Sequence, residues 1–392
     1  MSPVVAGQPG TDVPLGSVLL AGGGTAGHVN PLLAVAEELQ RRDGSTRITV
    51  LGTATGLEAD LVPARGLSLA LVPRVPLPRR PTLDWFRLPA RMRAAVRAAG
   101  AAIDSSGARV VVGFGGYVST PAYLAARSRH VPVVVHEANA RPGLANRLGA
   151  RWAAEVAVTF PGTPLPRAQV VGMPLRAAVA ALIESGVADP AGTRAAALAA
   201  LGLAPDRLVV LVTGGSLGAV RLNTAVAEVG AELVAAGAQV LHLTGASKAQ
   251  AVRDVIGRLP EPASVHYHVR EYLAEMEQAY AVAALVVCRS GAATVSELAA
   301  LGLPAVYVPL PVGNGEQRLN AAPVVAARGG LLVDDANFTP DWLRGHVLSL
   351  ISAPTALAAM GRAAASVGVR DGTARVADLV ERAARRERRE GR

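Results

Sequence analysis

The sequence predicts an α/β protein built from two nucleotide-type domains with parallel sheets, and three observations predict that class. Two glycine-rich crossings lie far apart in the chain, each between an apolar strand-like run and a helix-like stretch: residues 18–21 lead into Gly22-Gly23-Gly24-Thr25-Ala26-Gly27-His28, and residues 208–212 into Gly214-Gly215-Ser216-Leu217-Gly218. Fully apolar runs alternate with Ala-rich, helix-like segments, the pattern of strands covered on both faces. At 392 residues the chain is longer than one core usually grows, and its 51% apolar content suffices for two.

In chain order, residues 1–16 are polar and rich in Gly and Pro; they read as a flexible tail without the basic start and apolar stretch of a secretory leader. Strands are expected at 18–21, 48–51, 110–113, 131–135 and 156–159, then at 208–212, 240–243, 285–288 and 305–308. Helices are expected at 31–42 and about 222–236, after the two loops. The Pro- and Gly-containing stretch 164–174 reads as the hinge, and the polar stretch 184–194 as the lead into the second unit. No uninterrupted apolar run reaches the about 18 residues that mark a spanning helix. The single cysteine, Cys288, excludes an internal disulfide and closes an apolar run, as a small buried hydrophobe does.

Charge is unevenly placed. Residues 1–176 carry 19 Lys and Arg against 10 Asp and Glu, whereas residues 177–392 carry 20 of each. Much of the excess lies between Arg74 and Arg97, where Arg79, Arg80, Arg87, Arg91 and Arg93 interleave with Leu83, Trp85, Phe86, Leu88 and Met92. Basic residues around exposed aromatic and aliphatic side chains suit an anionic membrane surface. The alternative is a solvated Arg-rich loop and helix whose apolar residues face the core. No nucleic-acid-binding motif accompanies the charge, so no nucleic acid partner is expected. The basic end from Arg382 to Arg392, offset by Glu381, Glu387 and Glu390, reads as a frayed helix.

A loop without Cβ atoms lets backbone N–H groups approach a phosphate, and the helix that follows offers the same anion its positive end. Gly22, Gly24 and Gly27 also fit G-x-G-x-x-G, but the second strand ends Val50-Leu51-Gly52-Thr53 without the acid that a dinucleotide ribose requires. His28 is either a general base facing the cleft or a helix-start histidine with no chemical role. His242, His266 and His268 have no metal-ligand partners in the pattern and read as structural.

Six motifs then occur in a familiar order: GGGTAGHV from Gly22, GFGGYVS from Gly113, HEAN from His136, GMPLR from Gly172, GGSLGA from Gly214 and RSGAATVSE from Arg289. From about residue 18 to 378 the chain resembles the MurG family, glycosyltransferases of bacterial cell-wall synthesis. The resemblance implies two Rossmann-like domains facing across a cleft, the GT-B arrangement. Residues 17–175 would form the acceptor- and membrane-facing domain, residues 176–370 the UDP-GlcNAc domain, and a C-terminal helix at about 371–388 would pack back on the first.

The implied activity is inverting transfer of GlcNAc from UDP-GlcNAc to the C4 hydroxyl of undecaprenyl-diphosphate-linked MurNAc-pentapeptide. Implied with it are a peripheral location on the cytoplasmic face of the membrane and a role in peptidoglycan synthesis, cell shape and cell division. A related enzyme acting on another membrane lipid is the alternative. The resemblance makes His28 the base. It places Thr25, Ala26, Gly27 and Asn139 against the donor sugar, Arg176 and Ser216 on the diphosphate, and the backbone of Leu273 against the uracil. Ala292, Ala293, Thr294, Val295 and Ser296 would line the donor site, Glu297 would take the ribose hydroxyls, and Gln317 would read hydroxyls of the sugar. Glu297 also has the simpler reading of an acid stabilising a helix N-terminus. No D-x-D triplet is present to hold a cation, so no cofactor or metal is expected. Ala26, Ala138, Met173 and Leu217 depart from the family pattern.

Overall fold

The computed structural model describes residues 15–75, 84–215 and 218–390, with backbone alone at 84–86 and 387–390. The first sheet holds β1 (Ser17–Gly22), β2 (Arg47–Gly52), β3 (Ser68–Leu71), β4 (Val110–Gly115), β5 (Val133–Glu137), β6 (Glu155–Val158) and β7 (Ala168–Val170), in the order β3-β2-β1-β4-β5-β6-β7. The second holds β8 (Leu208–Thr213), β9 (Ala238–Leu243), β10 (Tyr267–Arg270), β11 (Ala283–Cys288), β12 (Ala305–Tyr307) and β13 (Gly330–Leu332), in the order β10-β9-β8-β11-β12-β13. Pairing is parallel throughout. Every residue of β1, β4 and β5 is buried, as helices on both faces require.

In each sheet the chain builds outward from a central strand and then returns to its other side. Strand order therefore reverses between β1 and β4 and between β8 and β11, where such sheets open a crevice at their carboxyl ends. The two glycine loops follow β1 and β8, so both lie at these switch points.

Several expected boundaries move. The first helix spans Ala26–Arg42 and carries Pro31 inside it, which places His28 in its first turn. Ala26 opens that helix and is not among the residues with positive φ, so replacing glycine there brings no left-handed strain. The expected helix at 222–236 is two, Val220–Glu228 and Gly230–Ala235. Part of the stretch read as a hinge is the edge strand β7. The polar stretch 184–194 is helical, divided between Ala177–Ala188 and Pro190–Leu201, with the Asp189 side chain capping the second through the Gly192 N–H at 2.9 Å. Val179, Ala197 and Leu198 of these helices belong to the core of the second sheet.

The chain passes between the two halves twice, and the passages touch. Gly172 has φ +85°, and a Cβ built on it would lie 2.5 Å from Val369 Cγ1. Beside it, the Leu175 N–H donates to Thr373 Oγ1 at 3.1 Å. The helix Gly372–Glu390 then lies on the helix Ala26–Arg42 and on β4, β5 and β6, with Val376, Val380 and Ala383 fully buried. Arg42 fixes it by donating to Asp378 Oδ1 at 2.6 Å, Glu381 Oε1 at 3.1 Å and the Ala374 carbonyl at 2.9 Å. The end read as frayed is helical to Glu390, and Arg386 Nη1 lies 3.4 Å from the buried carboxylate of Glu155. Among the described residues no single helix is long and apolar enough to cross a membrane.

Gly172→Ala is expected to cost about 2 kcal/mol, from left-handed φ together with displacement of Val369. Gly162, at φ +75° with open space around a built Cβ, is the control and should lose about 1 kcal/mol as alanine. Equal falls in the midpoint of thermal unfolding would contradict a tightly packed passage.

Candidate active site

The first glycine loop already holds an anion, and it belongs to the chain. Glu58 follows β2 in a short helix and is fully buried. Its Oε2 accepts from the Gly24 N–H at 2.9 Å, and its Oε1 from the N–H and hydroxyl of Thr53, both at 2.9 Å. The seat is shaped for it: a Cβ on Gly23, Gly52 or Gly56 would come within 2.5, 2.5 and 2.1 Å of this side chain. Burial works to raise the Glu58 carboxyl pKa, but the hydrogen bonds it accepts, from the N–H groups of Gly24 and Thr53 first and then its own N–H and the Thr53 hydroxyl, together hold the group below its ordinary value. The expectation that this loop cradles a phosphate is met at Gly24 by a carboxylate instead.

His28 stands half-buried above the loop. Its Nδ1 lies 3.2 Å from the Gly23 carbonyl and 3.2 Å from Thr25 Oγ1. The other edge of the ring packs on Gly115, where a built Cβ would lie 3.1 Å from Nε2. No partner occupies Nε2 among the described residues. Burial lowers the His28 pKa below 6.5, against the Gly23 carbonyl and the Glu137 and Glu58 carboxylates, which raise it. The positive end of its own helix adds to the lowering, so the imidazole is neutral at neutral pH and able to accept a proton. A cavity beside the loop is lined by Gly24, Thr55, Gly56, Arg74 and Tyr117.

Asn139 is placed by a buried network. Glu137, at the end of β5, accepts from the Asn139 N–H at 2.9 Å, the Gly143 N–H at 3.0 Å and Asn146 Nδ2 at 2.9 Å; the Tyr123 hydroxyl donates to Asn146 Oδ1 at 2.7 Å. The second half reaches this loop through Asn320, which is fully buried. Its Oδ1 accepts from the Ala140 N–H at 2.9 Å, and its Nδ2 donates to Asn139 Oδ1 at 3.2 Å and the Ser290 carbonyl at 3.3 Å. Arg141 also donates to the Asn314 carbonyl across the same junction.

Arg176 and Glu297 face each other. Arg176 Nε donates to Glu297 Oε1 at 2.7 Å and Nη2 to Oε2 at 3.2 Å, while the buried Tyr280 hydroxyl donates to Oε2 at 3.1 Å. Burial pushes the Tyr280 phenol well above its ordinary pKa, so it remains a donor. Glu297 lies on the helix Ala292–Leu301, which starts from Gly291 without a side-chain cap. Ala292 and Val295 of that helix are buried, and Ala293, Thr294 and Ser296 are half-buried. Leu273 is buried, and the Leu310 N–H donates to Gln317 Oε1 at 3.0 Å.

Ser216 and Leu217, like Arg79, Arg80 and the side chains of Trp85 and Phe86, lie outside the described residues. Arg87 is exposed and Arg91 half-buried, one turn apart on the helix Asp84–Ser106, while Ala95, Ala99 and Ile103 of that helix are buried in the first half. Sequence reading missed Glu58, Tyr280 and Asn320. For Glu58 a signal existed: an acid shortly after the second strand, set among glycines.

Comparison with known proteins agrees with this architecture. The glycosyltransferase family 28 N-terminal domain matches residues 18–158, and the glycosyltransferase family 28 C-terminal domain matches residues 209–376. The UDP-N-acetylglucosamine–N-acetylmuramyl-(pentapeptide) pyrophosphoryl-undecaprenol N-acetylglucosamine transferase of Clavibacter michiganensis is 57% identical over 92% of this chain and 95% of its own. The transferase of the same name from Streptomyces coelicolor is 51% identical over 90% of this chain and 94% of its own. Among solved structures, MurG of Acinetobacter baumannii superimposes with a TM-score of 0.74 at 27% identity, covering 94% of this chain and 99% of that one. UDP-GlcNAc 2-epimerase of Neisseria meningitidis, at 15% identity and a TM-score of 0.65 over 93% of this chain and 99% of that one, shares the fold alone. The chain belongs to glycosyltransferase family 28.

Proposed function

We propose that this protein is an inverting glycosyltransferase that moves GlcNAc from UDP-GlcNAc to the C4 hydroxyl of undecaprenyl-diphosphate-linked MurNAc-pentapeptide, in peptidoglycan synthesis. The observation that carries this reading is 57% identity over 92% of the chain to a transferase named for that donor and acceptor. The geometry supports the roles in this reading. The acceptor oxygen attacks the anomeric carbon, His28 Nε2 takes the hydroxyl proton, and the bond from that carbon to the diphosphate breaks with its electron pair leaving on UDP. Because attack and departure are in line, the α-linked donor gives a β-linked product.

Residues 176–370 hold the donor in this reading. A bound donor replaces the Arg176–Glu297 pair with two new partners: the guanidinium takes the diphosphate, and the carboxylate takes the two ribose hydroxyls. Tyr280 keeps the carboxylate in place during the exchange. Ser216 and the start of the helix Ala292–Leu301, with Ala292, Ala293, Thr294, Val295 and Ser296, add N–H and hydroxyl groups around the same anion. Leu273 borders the base, and Gln317, Asn139, Thr25, Ala26 and Gly27 border the sugar. Residues 17–175 receive the acceptor, whose diphosphate suits the cavity that Arg74 lines. The basic segment with Arg79, Arg80, Trp85, Phe86, Arg87 and Arg91 rests on anionic lipid at the cytoplasmic face of the membrane.

Purified protein in mild detergent, given UDP-GlcNAc and a short-chain lipid-linked muramyl-pentapeptide, should release UDP and yield a product heavier by one N-acetylhexosamine. His28→Ala should lose roughly 10²–10⁴-fold in kcat with donor affinity little changed. Parallel loss of turnover and donor affinity would remove His28 from the base role. Neutralising Arg79, Arg80, Arg87 and Arg91 together should abolish sedimentation with anionic vesicles at physiological salt, and retained binding would place the membrane contact elsewhere.

A further inference from the structure

One peptide unit joins Glu58 to His28. The Gly24 N–H donates to Glu58 Oε2 at 2.9 Å, and the carbonyl of that same Gly23–Gly24 peptide lies 3.2 Å from His28 Nδ1. A carbonyl only accepts, so this contact requires the proton on Nδ1 and leaves Nε2 as the free acceptor of the ring. Thr25 Oγ1, also 3.2 Å from Nδ1, serves as a second acceptor for the same proton.

We propose that Glu58 is the positioning residue for His28, acting through the Gly23–Gly24 peptide to hold the imidazole in the Nδ1–H form with Nε2 presented to the reacting hydroxyl. The inference rests on His28 being the base. An amide whose N–H is bonded to an anion is polarised and accepts more strongly at its carbonyl. The peptide is engaged at both ends: Glu58, on its N–H, is fully buried and held from its other oxygen by Thr53, and its carbonyl oxygen lies so close to Gly116 that a Cβ there would come within 2.5 Å of it. No proton travels to Glu58, because the intervening amide keeps its own. When Nε2 takes the hydroxyl proton, the ring becomes an imidazolium, and the carboxylate charge stabilises it. Glu58 and Glu137 are the charged groups that act on this ring, and both raise its pKa against burial.

A carboxylate that acted on the ring by its charge alone would shift the titration and leave the tautomer as it is, so the test reads both. In full-length protein with ¹⁵N-labelled histidine, the His28 signals, assigned by their loss in His28→Gln, should show a protonated Nδ1 and an unprotonated Nε2 at neutral pH. Glu58→Gln removes a negative charge that favours the imidazolium, so His28 should titrate at lower pH and populate both tautomers. The acid limb of kcat should move the same way, with kcat down roughly tenfold and the KM for UDP-GlcNAc within about twofold of wild type. An Nε2–H ring in the wild type, or a folded Glu58→Gln whose His28 keeps the Nδ1–H tautomer alone, would overturn the proposal. An Nε2–H ring in the wild type overturns it even if Glu58→Gln does not fold. Failure of the base assignment would appear separately, as turnover retained by His28→Gln.

Discussion

Backbone N–H groups at the carboxyl ends of parallel strands, aligned with the start of a helix, demand negative charge, and the two halves of this chain answer that demand differently. In the first half Glu58 supplies the charge from within, bonded to Gly24 and Thr53. In the second, among the described residues, no carboxylate accepts from the loop around Gly214 to Gly218; the Gly215 N–H turns to Thr213 Oγ1 at 3.2 Å. The helix Ala292–Leu301 likewise begins without a side-chain cap. In the proposed reading a donor diphosphate therefore finds its electrostatic match in the second half, and the first loop is left to carry His28.

The passages between the halves connect this asymmetry to the rest of the molecule. Only a few residues separate Gly172, packed on Val369, from Arg176, which reaches Glu297, so packing at the passage bears directly on where the guanidinium stands. Asn320 makes a second link, tying Asn139 and Ala140 of the first half to Ser290 of the second with three bonds of one buried amide. Breaking such an amide from any partner leaves buried polar atoms unsatisfied, which costs about 1–3 kcal/mol for each.

Much of the fold was legible because central strands of a parallel sheet are covered on both sides and must be apolar throughout. β1, β4, β8 and β11 announce themselves in that way, and β5 and β9 through the apolar runs they contain. The strands that escaped sequence reading, β3, β7, β10 and β13, are the four sheet edges. No residue of β3 or β7 is buried, and β10 and β13 each have one, so the apolar run that marks a strand is missing there. In the site, His28, Arg176 and Glu297 stand in motifs that carry their own spacing. Glu58, Tyr280 and Asn320 join the candidate site only through partners folded onto them: Glu58 is 34 residues from Gly24, and Asn320 is 181 from Asn139. For Tyr280 and Asn320 nothing in the immediate sequence records those contacts; for Glu58 the flanking glycines are the one local sign.

The difference between the two loops can be measured by hydrogen exchange of backbone amides in the intact protein with and without UDP. Bound UDP should slow exchange at residues 214–219 and 291–297 and leave residues 23–28 unchanged, because the Gly24 N–H is already engaged by Glu58. Slowed exchange at residues 23–28 with no change at residues 291–297 would contradict the division of charge between the halves.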